Sequence, residues 1–242
     1  MLSLFAVFLL ASPALAEERW RIDFETGAAF SGYNDVRIPG DTGTKFSLTD
    51  DLSSDPVFYW RLRADFRLAP RHVISGLVAP LEIDSEGAFD RPVLFQDVTF
   101  PAGVPTTGRY VFNSYRVTYR YEPVRTENWL FGFGATLKVR DAVTSLSAGD
   151  LFAEKTNVGL VPLINFKLER RLGDRASFLL EGDALAAPQG RAEDIFAGVL
   201  VHANDNWSVK AGYRILEGGA DNDEVYTFAL IHYAAVGVVV RF

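Results

Sequence analysis

Residues 58–68 read Phe58-Tyr59-Trp60-Arg61-Leu62-Arg63-Ala64-Asp65-Phe66-Arg67-Leu68, and the order of residue types in this stretch decides the fold. Phe58, Trp60, Leu62, Ala64, Phe66 and Leu68 share one parity. Tyr59, Arg61, Arg63, Asp65 and Arg67 share the other. A period of two belongs to an extended strand, whose successive side chains point to opposite faces; a helix would interleave the two classes. One face is greasy and aromatic and the other carries long charged groups. That division suits a wall with hydrocarbon outside and a polar lumen inside.

The pattern recurs along the chain. Trp20, Ile22 and Phe24 alternate with Arg21, Asp23 and Glu25. Tyr115, Val117, Tyr119 and Tyr121 alternate with Ser114, Arg116, Thr118 and Arg120. Phe133 to Arg140, Ile164 to Glu169, Phe178 to Asp183 and Trp207 to Arg214 behave alike, and the last strand carries Tyr226, Phe228, Leu230, Val236, Val238, Val240 and Phe242. The weakest stretch is Asp194 to His202, where Ala and Val are expected to replace the inward charges. Short turns are expected near Ala69–Arg71, Pro123–Asn128, Leu172–Asp174 and Asn204–Asn206. Mostly longer connections are expected at Ser31–Pro56, Ser85–Gly108, Ala142–Lys155, Ala187–Ala192 and Gly218–Glu224. Within the second of these, Val93-Leu94-Phe95 and Val98-Thr99-Phe100 are expected to prolong the flanking strands. The two classes alternate, so the segments between them number ten, with eight or twelve as the alternatives.

Bulk properties narrow the function classes. The 242 residues contain no cysteine, which excludes disulfides and thiolate sites, and the net charge of −7 argues against nucleic acid as a partner. Leu2 to Leu10 is apolar apart from Ser3, and Ala14-Leu15-Ala16 precedes Glu17 as a small-residue cleavage pattern. Residues 1–16 are therefore expected to be a cleaved signal peptide and 17–242 a single domain. No later stretch offers the roughly 18 consecutive apolar residues of a transmembrane helix.

The signal segment, the alternation and the terminal Phe242 together resemble the outer-membrane β-barrel proteins of Gram-negative bacteria. The resemblance implies an all-β fold: a single closed antiparallel up-and-down transmembrane β-barrel in the outer membrane. It also implies a final strand read by the barrel assembly machinery, and both termini on the periplasmic side. In hydrocarbon every backbone donor and acceptor needs a partner within the protein, so the first and last strands are expected to pair. The structural rival is a soluble periplasmic barrel of lipocalin type, with the aromatics inside and the charges outside.

Arg61, Arg63, Asp65, Arg116, Arg120, Lys138, Arg140, Glu181, Asp183, Lys210 and Arg214 are expected to line the lumen as a charge network, with Asp23, Glu25, Arg67, Lys167 and Glu169 on the same parity. Arg191, Glu193, Asp194, Glu217, Asp221 and Asp223 are expected at the outer rim, where carboxylates could hold Ca²⁺ or contact lipopolysaccharide. No other cofactor is expected. A His two residues before a Ser marks outer-membrane phospholipases and deacylases, but His72, His202 and His232 are followed at that spacing by Ile74, Asn204 and Ala234. An Asp two residues before a His marks omptin-like proteases, but the positions here hold Pro70, Leu200 and Leu230. The leading expectation is a non-enzymatic scaffold or narrow solute pathway whose surface loops contact lipopolysaccharide or a partner. An enzyme acting on lipid A or phospholipid is the alternative, with no catalytic residues assigned; Glu181, Asp183 and Arg214 could meet in the lumen, where paired carboxylates beside Arg are more often structural.

Overall fold

The computed structural model describes residues 19–242 apart from Gln189; the expected signal segment, 1–16, lies outside them. In chain order the strands are β1 (Trp20–Arg37), β2 (Phe46–Ser47), β3 (Leu52–Ser53), β4 (Val57–Ala69), β5 (His72–Ala79), β6 (Glu82–Ala88), β7 (Val93–Phe95), β8 (Val98–Phe100), β9 (Pro105–Arg125), β10 (Trp129–Ala148), β11 (Leu151–Arg171), β12 (Ala176–Ala187), β13 (Gly190–His202), β14 (Trp207–Asp221) and β15 (Tyr226–Arg241). Ten antiparallel staves form a closed barrel: β1, β4, β5 continued by β6, β9, and β10 to β15. Closure runs through β1 and β15, from Arg21↔Arg241 to Arg37↔Tyr226. At its foot the Trp20 amide donates to the Phe242 carbonyl at 2.8 Å and the Phe242 amide donates back at 3.0 Å. The terminal Phe thus ends a ladder that leaves no open edge there.

Faces follow the sequence parity. Along β4, Tyr59, Arg61, Arg63 and Asp65 are buried while Phe58 is 74% exposed. Val117, Leu137, Leu160 and Ile164 are likewise exposed on the outer wall. Charges inside and apolar groups outside are the reverse of a soluble barrel, so the lipocalin-like alternative is overturned.

The first and last described residues, Arg19 and Phe242, share one end with the turns 70–71, 126–128, 172–175 and 203–206; this is the terminal end, and the opposite end is the loop end. The expected loop-end connections are corrected in length. β1 continues to Arg37, and the expected loop Ala142–Lys155 is instead a tall hairpin in which β10 and β11 pair up to Ala148↔Leu151. Gly149 turns that hairpin at φ +57°, a left-handed value that glycine adopts without strain. The connection after β12 shrinks to residues 188–189 and that after β14 to residues 222–225. Strands outlast the hydrocarbon because the hairpin ladder satisfies its own backbone in water as well as in lipid.

Two connections remain long, and they form a cap. Residues 38–56 and 89–104 fold over the loop end, where β7 and β8 make a separate two-stranded sheet rather than prolonging barrel strands. Phe46, Phe89, Phe95 and Phe100 are fully buried there against Leu146, Ala148 and Ala153 of the tall hairpin. Phe46 meets Phe89 and Phe95 edge-on at 5.5 and 5.7 Å. Full burial of each ring contributes about 1.5–3 kcal/mol. Outside this apolar centre, Arg91 grips both Asp51 oxygens at 2.9 and 3.0 Å.

Candidate functional site

The middle of the barrel is a waist of ion pairs. Asp194 accepts from Arg61 at 2.7 Å, Arg116 at 2.5 Å and Arg214 at 2.6 Å. Glu25 accepts two further bonds from Arg214, at 2.7 and 2.8 Å, and pairs with Lys210 at 2.7 Å. Lys210 also holds Asp23 at 2.7 Å. Asp183 joins Arg116 at 2.7 Å, the Thr136 hydroxyl at 2.6 Å and the Asn165 amide at 2.8 Å. Toward the terminal end, Asp65 pairs with Arg21 and Arg120, and Glu122 with Arg67 and Arg120. Glu181 faces Lys167 at 3.6 Å, and Arg63 is buried within electrostatic reach of Glu181 and Asp65. Period-two alternation on eight of the ten staves delivers these groups inward, and mutual pairing offsets the large cost of taking each from water.

The structure puts each lumen residue expected from sequence on the inner wall, but not in the expected grouping. Glu181, Asp183 and Arg214 do not bond to one another; they serve Lys167, Arg116 and the pair Glu25–Asp194. Asp194, expected at the rim, lies in the waist and is 2% exposed. The reason is the parity of β13, which turns Asp194, Phe196 and Leu200 inward and Val199 and Val201 outward, correcting the inward Ala and Val expected there. Glu122 was not singled out, although it stands two residues after Arg120 on the same face.

At the rim Arg191 grips Glu217 at 2.7 and 2.8 Å, and the Tyr33 hydroxyl also donates to Glu217. Asp221 and Asp223 are exposed and Glu193 is half-buried. Among the described residues no three carboxylate or imidazole groups come together in a way that could hold a metal ion.

Between the waist and the cap lies a cavity of about 450 Å³. Its walls are mostly apolar, from Tyr110, Phe112, Leu160, Val161, Leu185, Leu216, Phe228 and Ile231. Its charged groups are Lys138, Arg140, Lys155, Arg191 and Glu217. Glu217 is claimed by Arg191, and none of the other three cations forms an ion pair with a carboxylate among the described residues. Lys138 is 2% exposed and forms no hydrogen bond or ion pair with a described residue; its ammonium lies 5.1 Å from the centre of the Phe112 ring. Arg140 donates to the Asn157 side chain and leaves its Nε unpartnered. Lys138 and Arg140 were expected from sequence as members of the network. They stand instead above it, in an apolar chamber with positive charge left over.

The terminal end opens into a second hollow of about 450 Å³, polar and lined by Arg19, Arg67, Arg125, Arg171 and Arg175 among others. His202 lies there between the Ser177 and Ser208 hydroxyls, at 2.8 and 2.9 Å. Its ring receives no carboxylate among these contacts, and Ser177 is 3% exposed, so the row reads as a structural link between β12, β13 and β14. His72 bonds the Tyr119 hydroxyl and His232 the Tyr213 hydroxyl.

No family model matches the sequence, and no curated protein does. Solved structures share its architecture. The outer membrane protease OmpT from Escherichia coli matches over 96% of this chain and 99% of its own, at 9% identity and a TM-score of 0.55. The translocator domain of the autotransporter NalP from Neisseria meningitidis matches over 93% and 89%, at 13% identity and a TM-score of 0.48. Ail, the attachment invasion locus protein of Yersinia pestis, matches over 93% and 99%, at 12% identity and a TM-score of 0.43. At such identities the likeness is one of fold, and the fold of this chain is the closed ten-stranded β-barrel of bacterial outer-membrane proteins.

Proposed function

We propose that the protein is an outer-membrane barrel that binds an anionic amphiphile in the cavity between waist and cap, and that it is not an open solute pathway. Lys138 carries this reading. Asp183 and Asp194 act on the Lys138 ammonium through space but neither bonds it, and a buried ammonium without a direct partner is costly by several kcal/mol. A carboxylate or phosphate seated beside it, with Arg140 and Lys155 contributing, would offset that cost, and the attached alkyl chain would take the walls. Across the waist, Asp194 gathers three guanidinium groups into the axis, which argues against free flow. In this reading the loop end, with its long connections and cap, is the outer side and the terminal end faces the periplasm. Lipopolysaccharide, with phosphates joined to acyl chains, has the chemistry the site and the neighbouring rim would meet.

The test is a titration of the full-length protein in non-ionic detergent with dodecyl phosphate, followed calorimetrically. Lys138→Met is expected to weaken binding at least tenfold, about 1.4 kcal/mol, and Lys138→Arg to retain most of it. Equal affinity of wild type and Lys138→Met would overturn the assignment. Heat-modifiable mobility on gels reports that each variant has folded.

A further inference from the structure

We infer that this ligand enters from the bilayer, through a lateral seam between β11 and β12, rather than from water through the cap. The inference rests on the reading of the cavity as a site for an anionic amphiphile.

The seam is visible in the ladder. β11 and β12 pair from Arg171↔Ser177 up to Ile164↔Ala184 and then stop. The same register would set Leu163 opposite Leu185, Pro162 opposite Ala186 and Val161 opposite Ala187, and none of these pairs forms. Both strands nevertheless continue, β12 to Ala187 and β11 up the tall hairpin. On its other edge β11 pairs with β10 through Leu137↔Pro162 without a register shift. Proline has no N–H to give, and it is tolerated in a sheet where no partner strand requires one. Pro162 therefore faces its missing donor toward β12, at the point where the ladder ends.

The gap leads somewhere. Leu160, Val161, Pro162, Leu185 and Ala187, the residues flanking it, all line the cavity. Leu160 is also 68% exposed on the outer wall, so the same residue borders both lipid and cavity. The gap also lies at a depth where lipid is present. The outward positions of β11 from Leu168 to Val158 are apolar, apart from the backbone-like Pro162, and the charged outward residue Glu154 comes only above them. Pro162 lies about nine residues above the terminal-end limit of β11 at Arg171, close to the roughly 9–11 tilted residues that cross the hydrocarbon. The opening thus falls in the leaflet on the loop side.

A second interruption gives the contrast. β4 and β5 pair up to Leu62↔Val78, and the same register would set Trp60 opposite Pro80, which does not pair. Behind that break the wall is filled: Tyr59 and Leu81 are buried and Tyr59 packs edge-on against Tyr233 at 4.6 Å. The space left there is about 10 Å³, less than one water molecule needs with comfort. Of these two breaks, only the one at Pro162 has a chamber behind it, and that chamber holds a cation with no bonded carboxylate. Water would flood a gap of this kind in an aqueous loop; in the apolar belt, an alkyl chain fits both the gap and the walls beyond it.

The chain has no cysteine, so a crosslink can be placed cleanly. The experiment uses the full-length protein in phosphatidylcholine vesicles and cis-parinaric acid, an alkyl carboxylate that fluoresces when bound. The double variant V161C/A187C is compared oxidised and reduced, with the crosslink scored by mass. The expected result is a loading rate from the bilayer at least tenfold slower when oxidised and restored by reductant. Pro162→Val, which returns the missing N–H to the ladder, is expected to slow loading in the same direction and decides the matter if the cysteines do not join. Loading at the wild-type rate with the crosslink in place, or in Pro162→Val when no crosslink forms, would overturn lateral entry. If instead wild type binds no cis-parinaric acid in vesicles or in detergent, the cavity assignment itself falls.

Discussion

Asp194→Asn tests the waist most directly, because the substitution keeps the shape of the side chain and removes its charge. Asp194 is 2% exposed and takes Arg61, Arg116 and Arg214 at 2.5–2.7 Å. Removing one member of a buried ion pair costs about 3–5 kcal/mol, since the remaining charge stays buried. Two of the three arginines keep another carboxylate: Arg116 has Asp183 and Arg214 has Glu25. Arg61 keeps only Glu25, at 3.8 Å. The loss is therefore expected at the low end of the range, about 3 kcal/mol. The assay is urea unfolding in vesicles followed by tryptophan fluorescence. Asp35→Asn is the control, because its pair with Lys45 at 2.9 Å joins side chains 25% and 51% exposed. Exposed pairs contribute about 1 kcal/mol or less. The reasoning is refuted if Asp194→Asn unfolds within 1 kcal/mol of wild type by that measure, or if the two variants lose equal stability.

Three further outcomes follow from the cap and the waist. Phe95→Ala removes a fully buried ring from the cap and is expected to cost that layer about 3–5 kcal/mol while leaving the barrel closed. Limited proteolysis should then cut residues 89–104, with heat-modifiable mobility unchanged; loss of that mobility would show that the cap and barrel are one cooperative unit. Burial alone would raise the Asp51 carboxyl, but hydrogen bonds from Arg91 and the Ser47 amide outweigh it and hold the group below the usual carboxylate range. A depressed folded value means the clamp stabilises above the unfolded pKa, near 4, and releases as pH falls through the folded value. Pepsin cleavage of residues 38–56 should therefore rise as the pH is lowered below about 4, and Asp51→Asn should be cut readily at every pH tested; a flat wild-type profile would count against the clamp. In planar bilayers the wild type should show no steady current, and a stable ohmic conductance would contradict a closed waist.

Much of the barrel was legible because its physics is local. The alternation at Phe58–Leu68 assigns each residue to lipid or lumen before any tertiary contact is known, and Phe242 fixes the last stave. Connection lengths were harder to read. In Ala142–Lys155, Ser, Thr, Ala and Gly look like loop residues, yet Thr144, Leu146 and Ala148 turn inward under the cap. Val143, Ser145 and Ser147 only complete the ladder. Outside the membrane a hairpin needs neither greasy nor charged faces, so the signal that marks a transmembrane strand fades while the strand goes on. The cap was missed for the opposite reason. Phe46, Phe89, Phe95 and Phe100 are ordinary hydrophobic-core residues, and nothing in a period of two foretells that two distant loops bury them together.

Parity says which groups enter the lumen but not which meet, because pairing depends on stagger around the whole barrel. That is why Lys138 and Lys167, both inward and both basic, end so differently. Lys167 descends toward Glu181, whereas Lys138 rises past the carboxylates, which are already committed to arginines. Had the lumen been built for stability alone, an apolar residue at position 138 would have matched Tyr110, Phe112 and Leu216 and avoided a buried charge with no bonded partner. A strand interior offers the same argument at Pro162: any β-branched residue there would supply the missing N–H and allow β11 and β12 to zip further. Two positions, one on the lumen face and one on the lipid face, thus each give up stability, and both border the same cavity. Their coincidence is what ties the positive charge to the gap in the wall. Lys138→Met combined with Pro162→Val should accordingly stabilise the barrel toward urea while abolishing uptake of cis-parinaric acid. A double variant that is less stable than wild type would mean that these residues serve the fold and not a ligand.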